Sequence, residues 1–296
     1  MVNVNFFLIY ILILMAGFQN VICQETDKNF SIEIDTSNDA NPWTHLNWQN
    51  DSKNFQFVVV TDRAGGSRNG VFKQGVKKIN SLQPEFVISV GDLTEGYTHD
   101  PDQARKEWDE IDKIVEHLKM PFFYVPGNHD IGNDIMADIW EERYGPAYYH
   151  FVYRNVLFLC LNTEDVRVDE EPIFSREQIN YIKQALDENT DVRWTMVFLH
   201  KPLWLLEQRE GKAALEQSGW AEIESMLKDR KHTVIAGHVH SYSHEIRNNS
   251  NYITMATMGG SRKFGSPIYG QFDHFMWVTM TDDGPIMANL MLEGIW

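Results

Sequence analysis

The chain has 296 residues, 43% of them hydrophobic, which suits one large domain or two small ones with a sizeable core. A formal net charge of −16 argues against a protein that holds nucleic acid mainly by charge, because a phosphate backbone is bound by an excess of Lys and Arg. Lys77-Lys78 and Arg262-Lys263 are thin material for a local basic groove, so nucleic acid is not an expected partner and a nuclease is disfavoured.

Residues 1–23 read as a secretory signal peptide. Positions 1–5 are short and uncharged, 6–18 are nearly all apolar, Val21-Ile22-Cys23 offers cleavage positions, and the first charge is Glu25. A secreted or periplasmic product is therefore expected. No stable membrane span is expected after cleavage, since the apolar run is short against the ~20 residues that cross a bilayer. A lipid anchor on Cys23 is the lesser alternative, because Ile22 is larger than the residue that usually precedes a lipidated cysteine. Residues 24–52 are polar and rich in Asn and Asp, with Trp43 and Trp48 interspersed, and read as an irregular lead. The remainder, 53–296, reads as one domain without internal repeat or low-complexity linker.

From Phe55 onward the pattern is regular. Short apolar runs rich in β-branched and aromatic residues predict strands at 55–61, 86–90, 122–125, 156–161, 194–199, 233–236, 252–256, 274–281 and 286–292. Apolar residues at helical spacing predict helices at 71–82, 102–118, 134–144, 176–186 and 213–229. Ser175 and Gln178 stand at capping-box spacing before the fourth of these. Cys160 lies inside an apolar strand pattern, which marks it as a small core residue rather than a nucleophile. Strand–helix alternation followed by strands alone predicts two sheets packed face to face with helices outside.

Five polar clusters follow the apolar runs: Thr61-Asp62-Arg63, Gly91-Asp92, Gly127-Asn128-His129-Asp130, His200 and Gly237-His238-Val239-His240. Ligands of open α/β sheets sit beyond the carboxyl ends of strands, and all five clusters fall there. Asp62 and Asp92 are thirty residues apart, room for one strand–helix–strand unit. Two carboxylates on adjacent strand ends repel each other unless a cation lies between them. Asn128 offers a neutral oxygen, His129 a proton, and Asp130 a carboxylate that would orient and charge-stabilise His129. His238 and His240, two apart, project to one side if the segment is extended, which suits ligands to neighbouring metals.

This series resembles the calcineurin-like metallophosphoesterase superfamily, whose motifs run Asp-x-His, Gly-Asp, Gly-Asn-His-Asp/Glu, a single His, and Gly-His-x-His. The resemblance covers about residues 55–292. It implies an α/β fold, a four-layer α/β/β/α sandwich of two mixed sheets flanked by helices, with a dinuclear centre. It also implies that Asp92 bridges two divalent ions, that Asn128, His200 and His238 complete one, and that Asp62 and His240 hold the other. Mixed carboxylate, amide and imidazole ligands suit Mn, Fe or Zn. A metal pair can bind a phosphoryl oxygen, lower the pKa of a bridging water and stabilise an in-line displacement, with His129 serving the leaving oxygen. The expected substrate is a phosphorylated small molecule or a phosphodiester.

The first motif departs from the family, because Asp62-Arg63-Ala64 has no histidine and Ala64 cannot ligate. Arg63 carries no lone pair to offer. Position favours Glu95 as the replacement ligand, with Tyr97 second; purple acid phosphatases, which also resemble this chain in lacking that histidine, have a tyrosine at the position corresponding to Glu95. Arg63, Tyr97 and Arg262 are candidates to contact substrate, since a guanidinium suits phosphate. The leading expectation is an exported metal-dependent phosphomonoesterase or phosphodiesterase. The alternative is a catalytically degraded protein that binds a phosphate ligand on the same scaffold.

Overall fold

Alternation of inward and outward residues along one strand already sets up the layers. In β1 (Phe55–Val60), Phe55, Phe57 and Val59 face a second sheet, while Val58 and Val60 face helices. Both faces are covered, so apart from Gln56 near its start the strand is apolar on both sides rather than alternating. The computed structural model describes residues 51–165, 173–263 and 266–293. The expected signal peptide at 1–23, and all of the lead at 24–52 except Asp51 and Ser52, lie outside them. The chain divides into a unit at Met1–Ser52 and one at Lys53–Trp296, and every element below belongs to the second.

In chain order β1 is followed by α1 (Val71–Leu82), β2 (Phe86–Ser89), α2 (Pro101–Val115), β3 (Phe122–Phe123), α3 (Asn128–Ile131) and α4 (Asp134–Tyr144). Next come β4 (Tyr149–Tyr153), β5 (Val156–Cys160), α5 (Arg176–Glu188) and β6 (Trp194–Phe198). Helices α6 (Trp204–Glu210), α7 (Lys212–Gln217) and α8 (Trp220–Leu227) precede β7 (His232–Ala236), β8 (Ser243–Arg247), β9 (Ser250–Thr254), β10 (His274–Thr281) and β11 (Gly284–Met291). One sheet has the order β11-β10-β1-β2-β3 and the other β4-β5-β6-β7-β9-β8. The runs β1-β2-β3 and β5-β6-β7-β9 are parallel and the other pairings antiparallel. Both sheets are therefore mixed, as expected.

The sheets meet through Phe57, Phe86, Phe158 and Phe198, with the Phe57 and Phe158 rings edge to face at 5.4 Å. Fully burying each such ring is worth about 1.5–3 kcal/mol. Val58, Val60 and Val87 pack outward on α1, α2 and α4. Leu157, Leu159, Val197 and Val234 pack outward on α5 and α8. The result is the α/β/β/α sandwich. Cys160 is buried in the middle of it, where burial pushes its thiol up to about 12.

Two edge strands, β4 and β8, escape the sequence reading. Ser-His-Glu-Ile-Arg is half exposed and shows no apolar run, while Tyr-His-Phe-Val-Tyr packs Tyr149, Phe151 and Tyr153 against the inter-sheet core and leaves Val152 exposed. The helix expected at 213–229 is interrupted. The Ser218 hydroxyl donates to the Leu215 carbonyl at 2.7 Å and accepts from Trp220 N, taking over local bonds that would have continued the helix. Ser175 caps α5 by accepting from Gln178 N at 3.0 Å. Gln178 does not complete the box; its amide spans to the backbone of Asn162 instead. Tyr144 packs with Trp108 and Trp140 and donates to Asp112.

Candidate metal centre

The carboxyl ends of the parallel strands converge. Val90 N donates to Val60 O at 3.0 Å, and Gly237 N to His200 O at 3.0 Å. The ring of His200, from the second sheet, donates through Nδ1 to Val90 O of the first at 2.8 Å. Beyond this seam Asp62, Asp92 and His200 are buried. Asp92, His238 and His240 all hold positive φ, at 57°, 72° and 55°. Backbone strain of this kind in non-glycine residues concentrates at functional sites. Gly237 is needed for close approach: a Cβ there would stand 2.3 Å from Asp62 Oδ2.

Two groups of ligand atoms form, Asp92, His200 and His238 in one and Asp62, Asp92 and His240 in the other, with all atoms of a group within 4.8 Å of one another. Asp92 belongs to both. His200 Nε2 lies 3.0 Å from Asp92 Oδ2, 3.0 Å from Asn128 Oδ1 and 3.2 Å from His238 Nδ1. Its other nitrogen is already used as a donor to Val90 O, so Nε2 of a neutral ring carries a lone pair and faces two further acceptors. His240 repeats the arrangement. Its Nδ1 donates to Ser261 O at 2.8 Å, and its Nε2 faces Asp62 Oδ1 at 3.4 Å. Lone pairs aimed at lone pairs are repulsive unless a proton or a cation stands between them. Imidazole ligands held by a backbone carbonyl on the far nitrogen are the usual support of a metal site. The donor set therefore fits cations.

The titration behaviour follows from the same crowding. Burial alone would lower His200, but the Asp92 carboxylate outweighs it and raises the imidazole to about 10. Burial would raise Asp92, yet the charge of His200 brings it down to about 2. Burial, reinforced by the charge on His200, lowers His238 to about 4. Burial opposes protonation of His240, but its hydrogen bond to Asp62 leaves it raised. Buried carboxylates here draw in whatever positive charge is available.

Of the predicted site residues, the structure brings together Asp62, Asp92, Asn128, His129, His200, His238 and His240. His129 N donates to Asp92 Oδ1 at 2.9 Å, and its ring Nδ1 lies 2.5 Å from Glu95 O. Asp130 does not sit on the His129 ring as expected. Its fully buried carboxylate accepts from Asp92 N, Leu93 N, Thr94 N and Gly127 N at 2.7, 2.9, 3.0 and 3.0 Å. It folds the loop that carries Asp92. Burial, with Asp92 adding to it, raises Asp130 to about 6.

Glu95, expected as the replacement ligand, falls outside both groups. Its side chain accepts from Gly66 N and Ser67 N at 3.2 and 2.6 Å, so it caps the loop after the degraded motif. Those bonds outweigh burial and lower its pKa. Ala64 is fully buried, and its N–H donates to Asp92 O at 2.9 Å. Tyr97 accepts from Asn128 Nδ2 at 2.6 Å and is not in either group. Arg63 Nη1 donates to Leu93 O at 3.0 Å, and Arg262 lies 3.5 Å from Asp273 and 3.6 Å from Glu293. Sequence reasoning missed the Lys201–Glu164 ion pair beside His200, at 2.8 Å. Lys201 directly follows a strand-end histidine and could have been noticed; nothing marks Glu164. It also missed Arg68, whose guanidinium pairs with Asp273 and donates to Gly260 O at 2.8 Å.

A family model described as calcineurin-like phosphoesterase matches residues 44–242. The chain belongs to that family of phosphoesterases. It is 27% identical over 213 residues to the serine/threonine-protein phosphatase CPPED1 of Mus musculus, covering 66% of this chain and 68% of that relative. The counterpart in Rattus norvegicus aligns over only 46% of its own length. A probable glycerophosphodiester phosphodiesterase GpdQ of Arcobacter nitrofigilis is 24% identical over 192 residues, 60% of this chain and 66% of the relative. Among solved structures, a dimetal phosphatase from Danio rerio superposes with a TM-score of 0.59 at 14% identity, covering 81% of this chain and 96% of that one. That likeness shows the fold. Among the described residues no helix is long and apolar enough to cross a membrane.

Proposed function

We propose that this chain is an exported hydrolase of phosphate esters working with two divalent ions of the Mn, Fe or Zn type. The observation that carries this reading is the shared carboxylate, because Asp92 stands in both ligand groups and would bridge two ions. Asn128, His200 and His238 would complete one ion, and Asp62 and His240 the other. Ions bound there supply activation of a water and neutralisation of phosphoryl charge. His129 is the group that serves the leaving oxygen. Its Nδ1 is engaged with Glu95 O, which leaves Nε2 as the end able to exchange a proton with substrate. Asp130 acts on Asp92 through the backbone rather than on His129. We assign no substrate contact to Arg63 or Arg262, whose guanidinium groups are engaged with protein oxygens. The names of the relatives support a phosphomonoester or a phosphodiester as substrate.

A second reading, a non-catalytic binder of phosphate ligands, is favoured by Ala64, which leaves the Asp62 group with three residues. Metal analysis and turnover of aryl phosphates and bis-aryl phosphates separate the two. The enzyme retains two equivalents of metal, loses turnover on chelation, and loses about 10²–10⁴-fold in His129→Ala. Absence of metal, or bound metal without turnover on either substrate class, would favour the binder and refute the enzyme. Export is tested by expressing the full chain and sequencing the N-terminus of the product outside the cytoplasm. A product retained inside with Met1 in place refutes it.

A further inference from the structure

Tyr97 has no role in the reading above, yet its position is one that the chain strains to reach. Gly96 and Tyr97 both hold positive φ, at 59° and 49°, and an aromatic residue in that region is an uncommon conformation that needs support from its surroundings. Gly96 cannot be anything else: a Cβ there would stand 1.7 Å from the His129 carbonyl oxygen. Thr94 Oγ1 donates to that same oxygen at 3.1 Å, and Gly96 N is held by Glu107 at 2.8 Å. The segment from Thr94 to Tyr97 is thus fastened along His129.

Tyr97, 63% exposed as a residue, is not placed there by burial. Its ring lies edge to face on the His129 imidazole, with centroids 4.5 Å apart. Its hydroxyl oxygen accepts from Asn128 Nδ2 at 2.6 Å, which turns Asn128 Oδ1 inward to within 3.0 Å of His200 Nε2. An amide free to rotate could instead donate to that nitrogen and present no oxygen to the centre.

We infer that Tyr97 is a positioning residue that holds the Asn128 amide with its oxygen toward the candidate metal centre and braces the ring of His129. It is neither the missing ligand nor a substrate contact. The inference rests on the proposed ligand role of Asn128. Outer contacts of this kind typically alter metal affinity by 10–100-fold when removed.

The test compares wild type with Tyr97→Phe, which keeps the ring and removes the acceptor. In the 15N spectrum of the metal-free protein, the Asn128 side-chain amide protons are expected to shift and to lose exchange protection in Tyr97→Phe. In competition against a chelator, the variant is expected to release one ion at least about 10-fold more readily, the other being unaffected. An Asn128 amide signal indistinguishable from wild type would overturn the inference, as would a changed signal with unchanged metal retention. A wild-type chain that holds no metal would refute the proposed function instead, and the amide spectra would still decide whether Tyr97 holds Asn128.

Discussion

Replacing Asp130 by Asn separates a backbone clamp from a partner of the His129 imidazole. The carboxylate accepts four buried backbone N–H groups, Leu93 and Thr94 on Oδ1, Asp92 and Gly127 on Oδ2. An amide keeps one oxygen and turns an NH2 toward the other pair, so two buried donors lose their acceptor. At about 1–3 kcal/mol for each unsatisfied group the loss is about 2–6 kcal/mol, against a total stability of about 5–15 kcal/mol. For a domain of this size each kcal/mol moves the melting midpoint by about 2–4 °C, so a fall of roughly 4–24 °C is expected. Turnover should fall with it, because Asp92 N and Leu93 N lie in the loop that aims the Asp92 carboxylate. Urea and thermal denaturation measure the first effect, and aryl phosphate kinetics the second. A variant with the wild-type midpoint that loses only assistance to poor leaving groups would restore Asp130 as the partner of His129 and refute this reasoning.

Away from the centre, His274 supplies a pH dependence. Its Nε2 accepts from Ala256 N at 3.0 Å and its Nδ1 faces Asn289 Oδ1 at 2.9 Å, which requires the neutral ring. Burial lowers it from 6.5 to about 4. The unfolded chain takes up its proton near the higher value and the folded chain only near the lower, so this stability is complete above about pH 6.5 and is lost as the pH falls toward 4. The contribution is about 3 kcal/mol; His274→Gln should flatten that part of a stability–pH curve, and identical slopes would disprove it. Gly237→Ala should displace the Asp62 carboxylate, since the new Cβ would lie 2.3 Å from Oδ2. Elemental analysis should then show the loss of one of two metal equivalents; two retained would contradict the proposed geometry.

Local pattern made much of this protein readable from its residues. Apolar runs such as Phe-Gln-Phe-Val-Val-Val mark strands because burial of alternate side chains needs no knowledge of the partner. Ser175 announces the start of α5 because an N-cap bond spans three residues. The ligand clusters were legible because each is a few residues long and each ends a strand, where parallel topology collects side chains into one place.

What the order of residues could not convey is which group satisfies which across the fold. Asp130 adjoins His129 in the chain, yet it serves backbone N–H groups some 37 residues away, and a backbone donor leaves no trace in side-chain identity. Glu95 stands where a replacement ligand would be expected, but the bend at Gly66 and Ser67 presents two N–H groups that claim its oxygens first. The edge strand β8 was hidden because a half-exposed strand needs no apolar run. The residues thus determined, on their own, the layers and the chemistry gathered at the strand ends, since burial and ligand type are properties of single side chains. Only the tertiary structure decided that Asp130 braces a loop, that Glu95 caps another, and that Tyr97 reaches Asn128, because hydrogen-bond partnership is set by distance in space.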